Sequence, residues 1–489
     1  MALRLWLPLI GDLDNKGISN VTVTNYGATV SNFGKIGKCY SFDGTDDYFQ
    51  LTNIDLKGLP ELSIACWIYP NDSTNHLLVF RSGSYHELSI SGTGFNWRDT
   101  NNTSSLRTYT FTALPANTWT HLVCIYNRGE VFVYQNGVLN LHNASRKNSS
   151  STLRNNWSEY RIGRIQSSSG NVYFNGKLND FRIYDHCLSA KEVKEISKGL
   201  AVHFKLDSAS QRTDNLVWDS SGYSHNGTGT RNKMSYSTST PRYTNSINKT
   251  TSYVFCRVNA QGVWYNKANA WMAQGATELT INLWAKSSDW LSNNDRLFSC
   301  TQAGGFTIYY SSQKLCFEIA KASSAEYSSY TYVDTPTANR IDLTVLEAGW
   351  HMFTFVVCPS CTKIYVDGEK YSESVATFPY GIFYNLTGSS LNLGAESASA
   401  SSAASPWFYG GESDFRLYYT ALSEDDIKEL YDVSEAIDDN GNLYAYEFVE
   451  DSGNSFTKTG KVVCTELIEN GSDITNNANG WTANQFIEL

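Results

Sequence analysis

An internal repeat constrains this chain more than any other feature of its sequence. Three blocks recur in the same order: ELSIACWIYP from Glu61 and ELTINLWAKS from Glu278, WTHLVCIYNRGEVFVYQNGVLN from Trp119 and WHMFTFVVCPSCTKIYVDGEKY from Trp350, and NDFRIYDHCLSAKEVKEI from Asn179 and SDFRLYYTALSEDDIKEL from Ser413. The offset between copies grows only as loop insertions would make it grow. The chain is therefore a tandem duplication, and each copy is one structural unit.

The opening stretch, MALRLWLPLIGDLDNKG, could be an export signal or a first strand. A signal peptide needs a continuous apolar run of about 7–15 residues and a small-residue cleavage site. Here Arg4 interrupts the apolar residues, which alternate as they do in a half-buried strand. The second copy opens on LAVHFKLDSAS with the same alternation. We therefore expect a first strand that stays in the mature protein, and no signal peptide.

Short strands and strong turns fill each copy. Asn136-Gly137 and Asp367-Gly368 lie between apolar runs at matching positions, which is typical of tight hairpins. Each copy closes on one short helix, and the helices begin after Ser189 and Ser423, each followed three residues later by an acidic residue that completes a capping box. This pattern predicts a two-sheet β-sandwich repeated twice.

The composition agrees with an all-β fold. Aromatic residues make up 14% of the 489 residues and charged residues only 18%, a balance that suits strands and turns. The formal net charge of −10 argues against broad electrostatic binding to nucleic acid or anionic lipid. No apolar run approaches the roughly 18 residues of a membrane span, so we expect no membrane insertion and no nucleic-acid partner.

The ten cysteines raise the question of redox compartment. Most lie within strand-like runs, where buried thiols behave as small hydrophobes. Cys358 and Cys361 have the C-x-x-C spacing of redox and zinc sites, but no second pair of ligands accompanies them. We predict a turn at a hairpin tip and leave a disulfide between the two open. Reduced cysteines suit assembly in a cytoplasm.

These blocks, together with YSFDGTDDYFQL, RIGRI and GKLNDFRIYDHCLS in the first copy and KIYVDGE, LNLGAE and SDFRLYYTALS in the second, resemble laminin-G-like (concanavalin A-like) jelly-roll domains. The resemblance implies two tandem jelly-roll β-sandwiches at residues 1–198 and 199–433. Residues 434–489 then form a short β-rich segment. The fold hosts lectins, glycosidases, adhesion modules and virion proteins, so it does not select one function.

The arrangement of the two domains and the closing segment resembles bacteriophage virion proteins with laminin-G-like domains. This resemblance implies a non-enzymatic virion protein, a tail fibre or a capsid decoration, made in the host cytoplasm. Its expected partners are other virion proteins and host cell-surface glycans. The alternatives are a glycan-active enzyme on the same fold, or a bacterial surface adhesin.

The closing segment provides the assembly hypothesis. Three short strands are predicted in this segment, in NLYAYEFVE, KVVCTELIE and NQFIEL. Their apolar residues form too small a core to be stable on its own. They must therefore pack on the second sandwich, on another copy of the chain, or on the particle. We expect a homo-oligomer, since closed symmetric assembly is the usual solution to such a need.

One acidic pair could carry catalysis. Glu412 and Asp414 are two residues apart in GESDFRLYY, and retaining glycosidases use two carboxylates about 5–5.5 Å apart. The first copy has Leu178 and Asp180 at these positions, so only the aspartate is repeated. A repeated aspartate next to an arginine favours a structural role, and we predict no catalytic residues.

A second acidic group could bind a metal ion. Asp43, Asp46 and Asp47 in DGTDDY are hard oxygen ligands suited to calcium, which the family resemblance also implies at a loop edge. The alternative is a tight turn that uses Asp and Gly for its backbone angles. Calcium is the one cofactor that the sequence suggests.

Tryptophans divide into two groups. Trp67 matches Trp284 and Trp119 matches Trp350, so we predict that these four belong to the core. Four others lie in polar stretches with no counterpart in the other copy and are our candidates for stacking on a glycan: Trp97, Trp157, Trp290 and Trp407. The alternative is burial of each ring beneath its own loop.

Overall fold

A computed structural model of the chain describes most of its length. The described residues are 2–72, 76–82, 85–99, 102–154, 159–167, 170–206, 216–217, 219–229, 234–237, 246–249, 254–256, 271–287, 290, 296–301, 303–387, 390–399, 402–408, 410–435, 450–451 and 455–456. Trp157 and the predicted tail strands KVVCTELIE and NQFIEL lie outside these ranges, and of NLYAYEFVE only Glu450 is described.

The chain divides into two compact units. The first contains residues 1–201 and 260–276, and the second contains residues 202–259 and 277–489. The domain boundaries after residues 198 and 433 remain predictions.

The first unit is built from strands and one short helix. Its strands are Leu3–Leu7 (β1), Thr22–Tyr26 (β2), Thr29–Ser31 (β3), Cys39–Asp43 (β4), Tyr48–Thr52 (β5), Glu61–Pro70 (β6), His76–Ser82 (β7), Tyr85–Ser91 (β8), Gly94–Asp99 (β9), Asn102–Thr110 (β10), Thr120–Asn127 (β11), Glu130–Gln135 (β12), Val138–Asn143 (β13), Glu159–Ile162 (β14), Arg164–Ser167 (β15), Gly170–Tyr173 (β16) and Asn175–Tyr184 (β17).

Two antiparallel sheets of this unit enclose its core. One has the order β13-β12-β11-β6-β17-β4-β3 with β1 also paired to β17, and the other has the order β10-β9-β8-β7-β14-β5-β2. The side chains between them alternate along each strand, as in Phe49 and Leu51 of β5, which are buried while Tyr48 and Gln50 face outward. This is the predicted sandwich.

The second unit repeats this plan. Its strands are Leu200–Phe204 (β18), Leu216–Val217 (β19), Gly227–Gly229 (β20), Met234–Ser237 (β21), Ser246–Lys249 (β22), Val254–Cys256 (β23), Leu279–Ser287 (β24), Arg296–Ser299 (β25), Phe306–Ser311 (β26), Lys314–Ala322 (β27), Tyr330–Asp334 (β28), Ile341–Asp342 (β29), Gly349–Cys358 (β30), Cys361–Val366 (β31), Glu369–Val375 (β32), Leu391–Leu393 (β33), Ala395–Ser399 (β34), Ser402–Trp407 (β35), Gly410–Tyr418 (β36), Glu450–Asp451 (β37) and Ser455–Phe456 (β38).

The sheet orders of the two units correspond. In the second unit one sheet runs β21-β22-β36-β24-β30-β31-β32 with β18 paired to β36, and the other runs β19-β20-β23-β33-β25-β26-β27-β28 with β29 paired to β27. The predicted all-β fold class is confirmed, because the chain contains two β-sandwiches in tandem.

Each unit carries a short helix in the described residues, Ala190–Ser197 (α1) and Glu424–Glu435 (α2), and a 3-10 turn lies at Thr337–Asn339. Ser189 and Glu192 form the predicted capping box of α1. In α2 the Ser423 hydroxyl accepts from the Asp426 amide at 3.2 Å in the same manner. None of the described helices is long and apolar enough to span a membrane.

The predicted hairpins are confirmed. Asn136 and Gly137 both have positive φ, 51° and 78°, between β12 and β13, and Asp367 and Gly368 have 52° and 81° between β31 and β32. Two successive positive φ angles define the turn that matches the twist of a hairpin, and Asn or Asp followed by Gly adopts it readily.

The predicted first strand is also confirmed. β1 pairs antiparallel with β17, and Leu5, Leu7 and Leu9 are fully buried in the core. In the second unit β18 pairs with β36 at the corresponding edge.

The repeated tryptophans behave in two ways. Trp67 and Trp284 are buried, as predicted, and the Trp284 ring stacks on Tyr431 of α2 at 5.5 Å. Trp119 and Trp350 are only half-buried, so their assignment to the core is wrong. Trp119 precedes β11 and packs against Tyr69 at 5.5 Å, because a strand end offers one neighbour rather than a second sheet.

Candidate functional site

The acidic turn between β4 and β5 brings its three predicted ligands together. One carboxylate oxygen each from Asp43, Asp46 and Asp47 lies within 4.8 Å of the others. The Asp43 carboxylate accepts from the Thr45 amide at 2.7 Å, and Asp47 accepts from the Asp43 amide at 2.9 Å. The predicted tight turn and the predicted ligand group are therefore the same structure.

Electrostatics distinguishes the carboxyl groups of Asp43 and Asp47. Hydrogen bonding from the Thr45 amide lowers the pKa of Asp43, which is exposed. Burial raises the pKa of Asp47, and the charges of Asp43 and Asp46 add to that rise. A cation would relieve this repulsion.

The acidic turn fits calcium as part of a ligand set. Calcium holds oxygens at about 2.3–2.6 Å, so two ligands of one ion lie at most about 5 Å apart, and the spacing of the three carboxylates satisfies this limit. Gly27 leaves room for the group, because a Cβ there would collide with Asp47 Oδ1. Calcium takes about 6–8 oxygens, so carbonyl groups or water would supply the others.

Tyrosines form an aromatic surface directly beside this turn. Tyr26 and Tyr48 are cross-strand neighbours on β2 and β5, and their rings stack at 4.5 Å with an interplanar angle of 4°. The Tyr173 ring lies 6.4 Å from that of Tyr48. The Arg164 guanidinium lies 4.9 Å from the Tyr48 ring and 5.6 Å from the Tyr173 ring. We call these four residues the tyrosine surface.

The tyrosine surface is both ordered and accessible. The Arg164 guanidinium donates to Asn171 Oδ1 at 2.9 Å across the β15–β16 ribbon, which fixes the guanidinium over the rings. Tyr26 retains 46% of its exposure. A flat apolar ring bordered by a guanidinium and by carboxylates can stack on one face of a sugar and hydrogen-bond its hydroxyls.

The sequence analysis did not predict the tyrosine surface, because only tryptophans were considered as glycan-binding residues. The alternation in YFQL after DGTDD was sufficient to place Tyr48 outward and next to the acidic turn. The stacking partner Tyr26 depends on the pairing of β2 with β5, which the sequence did not indicate.

Two tryptophan candidates are buried, so their prediction as glycan-binding residues is corrected. Trp97 is fully buried in the first core, where its ring stacks on Tyr109 at 4.7 Å. Trp290 is 3% exposed, and its indole N–H donates to the Glu347 carbonyl at 3.0 Å. The alternative interpretation, burial of the ring, holds for both because apolar neighbours from adjacent strands surround them.

Trp407 corresponds to Tyr173 of the first unit, so the prediction that it has no counterpart is wrong. It pairs with Ala395 across β34 and β35, as Tyr173 pairs with Arg164 across β15 and β16, and the sequences PWFYGG and VYFNGK correspond. The second unit thus has tryptophan where the first has a member of the tyrosine surface. Trp157 is outside the described residues.

The acidic pair in the second unit does not form an open catalytic site. Glu412 is fully buried at the position that Leu178 occupies in the first core. Asp414 is 1% exposed, accepts from Arg416 Nε at 3.0 Å and lies 2.8 Å from His203 Nε2. The predicted structural role of the repeated aspartate is confirmed.

Cys358 and Cys361 lie opposite each other at the end of the β30–β31 hairpin, which confirms the predicted turn. Their sulfurs are joined in a disulfide, with the Cα atoms 5.1 Å apart. Six other cysteines in the described residues are free, and Cys66, Cys124 and Cys316 are among the buried ones.

A two-sheet sandwich with a short covering helix, present twice, defines a β-sandwich protein of the lectin and glucanase type. The chain belongs to the concanavalin A-like lectin/glucanases superfamily, whose pattern matches residues 43–194 and 265–428, more than half of its length. The resemblance to laminin-G-like domains is thereby confirmed.

Several solved structures are similar to this chain. Domain 4 of an extracellular arabinanase from Geobacillus stearothermophilus, solved with arabinotriose, is 21% identical over 40% of this chain and 98% of its own, with a TM-score of 0.30. Domains LG4-5 of the mouse laminin alpha1 chain are 12% identical over 77% and 88%, with a TM-score of 0.23. The binding domain of botulinum neurotoxin DC is 12% identical over 86% and 94%, with a TM-score of 0.33. A search of curated protein sequences finds no match.

Proposed function

We propose that this protein is a non-enzymatic binding protein whose first unit binds a host-surface glycan on the tyrosine surface. The observation that carries the proposal is the stacking of the exposed Tyr26 ring on the Tyr48 ring, with the Arg164 guanidinium over Tyr48. Sugars offer apolar C–H faces and a rim of hydroxyls, and this surface offers flat rings bordered by charged donors and acceptors.

Calcium is the proposed cofactor of the same site. Asp43, Asp46 and Asp47 would hold the ion, which would supply a positive charge next to the tyrosine surface. Calorimetric titration of calcium into the wild-type protein should show binding that Asp46→Asn weakens. Unchanged binding in this variant would remove the acidic turn from the proposal and leave the tyrosine surface.

The proposal assigns no catalytic role to the acidic pair of the second unit, because this pair is inaccessible. The carboxyl groups of Glu412 and Asp414 are buried, and a hydrolase must place an acid and a second carboxylate against its substrate. The competing function is a glycan-active enzyme. Release of reducing sugar from host polysaccharide that Glu412→Gln abolishes would establish it instead.

A glycan array with the wild-type protein, followed by calorimetry on the bound glycans, tests the binding site. Tyr26→Ala and Tyr173→Ala should each weaken binding by about 1–3 kcal/mol, by analogy with other stacking contacts. The melting temperature should hardly change, since Tyr26 is exposed. Tyr380→Ala is the matched control, because Tyr380 is 42% exposed in the second unit. Equal binding by all variants would contradict the proposal.

We also propose that the protein is a component of a bacteriophage particle, either a tail fibre or a capsid decoration. We propose that it assembles there as a homo-oligomer. The support is the resemblance of the tandem arrangement to virion proteins. A chain ending after Glu435, where α2 ends, should keep two folded units but lose assembly. Mass spectrometry of purified particles and light scattering of both chains test this. A bacterial adhesin would instead be found on the cell surface.

A further inference from the structure

A row of polar and aromatic residues lies on the outer face of β26, β27 and β28 in the second unit. Along β26 and β27 the residues Phe306, Ile308, Phe317 and Ile319 face the core and are buried. The alternate residues therefore face outward. We call six of these outward and neighbouring residues the β27 groove: Arg296, Tyr309, Glu318, Tyr332, Asp334 and Arg340.

The register of the strands places the acidic residues of the groove opposite each other. Glu318 on β27 is the direct cross-strand partner of Asp334 on β28, and Ala320 is the partner of Tyr332. Directly opposed residues on one face of an antiparallel pair have Cβ atoms about 4.5–5.5 Å apart. The two carboxyl groups and the Tyr332 ring are therefore close neighbours on one face.

Most charges of the groove are already paired. Arg340 forms an ion pair with Asp334, which also accepts from the Tyr309 hydroxyl at 3.3 Å. Arg296 pairs with Glu396 at 3.4 Å and lies 4.8 Å from the Tyr309 ring. Each guanidinium therefore has its own carboxylate.

Glu318 takes part in neither of these two ion pairs. Within the part of the chain that the structure describes, it has neither a hydrogen bond nor an ion pair. Burial raises the pKa of Glu318, and the charges of Asp334 and Glu396 add to this rise while that of Arg296 opposes it. The groove thus carries one negative charge that no described side chain pairs.

Aromatic rings border this carboxylate. The charge of Glu318 acts on the hydroxyls of both Tyr309 and Tyr332. Tyr332 is 39% exposed, and its hydroxyl is held between the Thr301 carbonyl at 3.2 Å and the Gly304 amide at 3.3 Å. A fixed and exposed ring next to an unpaired carboxylate can bind a cation by both its face and its charge.

We propose that the β27 groove binds an amino sugar, with the protonated amine at Glu318 and the sugar ring against Tyr332. An ammonium group donates three hydrogen bonds and neutralises the remaining charge. A neutral sugar would leave that charge uncompensated. The first unit lacks this chemistry, because Arg98 occupies the position on β9 that matches Glu318 on β27 when the β8–β9 and β26–β27 hairpins are superposed.

This inference extends the proposed glycan binding to the second unit but uses a different site. A glucosamine tetrasaccharide and its N-acetylated counterpart are the matched probes, since acetylation removes the charge. Calorimetry slightly below neutral pH should show at least about tenfold tighter binding of the amine form, as expected for one charge-assisted hydrogen bond. Glu318→Gln should abolish the difference. Glu326→Gln removes an exposed charge elsewhere and should preserve it.

Further variants separate the possible failures. Tyr26→Ala should leave the preference for the amine intact, so a failure of the tyrosine surface does not affect this test. Tyr332→Leu gives a second variant if Glu318→Gln does not fold, and it should also weaken binding of the amine form. Equal affinity of the wild-type protein for both probes would overturn the proposal, as would loss of the preference in Asp46→Asn instead of Glu318→Gln.

Discussion

The two units build the same bulge with different hydrogen-bond partners. Asp180 and Asp414 have φ angles of 53° and 50°, where each strand shifts its register against the neighbouring strand. In the first unit Trp6 donates its indole N–H to Asp180 at 2.6 Å, whereas in the second His203 lies 2.8 Å from Asp414. An indole does not titrate and an imidazole does.

A similar difference between the units occurs at the hairpin that contains Asn136 in the first unit and Asp367 in the second. The Asn136 side chain accepts from the His121 amide at 2.9 Å, and the Asp367 side chain accepts from the Met352 amide at 2.8 Å. Asp367 also binds His351 at 2.6 Å. The comparison teaches that the two copies share the backbone and core of the sandwich, while the second unit has titratable partners at polar positions that both units use.

The shared core gives the largest expected effect. Trp97 on β9 and Phe317 on β27 occupy matching core positions opposite Leu88 and Ile308. Both are buried, so Trp97→Ala and Phe317→Ala should each cost about 3–5 kcal/mol of unfolding free energy in their own unit. Hydrogen exchange with mass spectrometry resolves peptides of the two units. Unaltered protection around residue 97 would contradict its place in the core.

The repeated bulge gives the next largest effect and tests the comparison directly. Asp180→Asn keeps an acceptor for Trp6 but loses the ion pair with Arg182, which is 2.9 Å long. Asp414→Asn loses the charge that serves both His203 and Arg416. Breaking a buried ion pair costs about 3 kcal/mol or more, so we expect the second variant to be the more destabilised. Equal losses by chemical denaturation would show that the imidazole adds nothing.

The sequence predicted the parts of the fold that depend on local rules. Alternation located the first strand, Asn136-Gly137 located a hairpin, and Ser189 with Glu192 located a helix start. These signals act within a few residues, and duplication displayed each of them twice. The repeated aspartate was correctly interpreted as structural for the same reason.

The candidate site was predicted only in part. The acidic turn is local, so Asp43, Asp46 and Asp47 were found together. The tyrosine surface is assembled by pairing β2 with β5 and by the β15–β16 ribbon, and pairing over such distances leaves no local signal. The prediction for Trp97 was wrong because its neighbours in sequence are polar, whereas its neighbours in space, such as Tyr109, come from an adjacent strand.

The contact between His351 and Asp367 at the hairpin predicts that the unfolding free energy of the second unit, but not of the first, depends on pH. Burial alone would lower the pKa of His351, but hydrogen bonds to Asp367 and to the Glu347 carbonyl outweigh it and raise this pKa. The resulting stability is complete below the unfolded pKa of about 6.5 and is lost as pH rises through the folded value.

Asp367→Asn should remove this dependence, worth about 1 kcal/mol, while keeping the turn, because asparagine also adopts the left-handed conformation. Asn136→Asp in the first unit is the reciprocal variant and should create no such dependence, since Thr120 stands where the second unit has His351. Unfolding monitored by hydrogen exchange on both sides of neutral pH measures this. An unchanged pH profile in Asp367→Asn would show that the contact of Asp367 with His351 does not cause the pH dependence.

A further small effect concerns the disulfide, which only the second unit has at this hairpin. In the first unit the β11–β12 turn is closed by Arg128 and Gly129, with φ angles of 48° and 88°, and needs no cross-link. A disulfide stabilises mainly by restricting the unfolded chain, and the loop between Cys358 and Cys361 is very short. Replacing both cysteines with serine should therefore lower the unfolding free energy by about 2 kcal/mol or less. Calorimetry with and without reductant measures this on the wild-type protein and on the double variant. A large loss of stability in either experiment would mean that this hairpin, unlike its counterpart, depends on its cross-link.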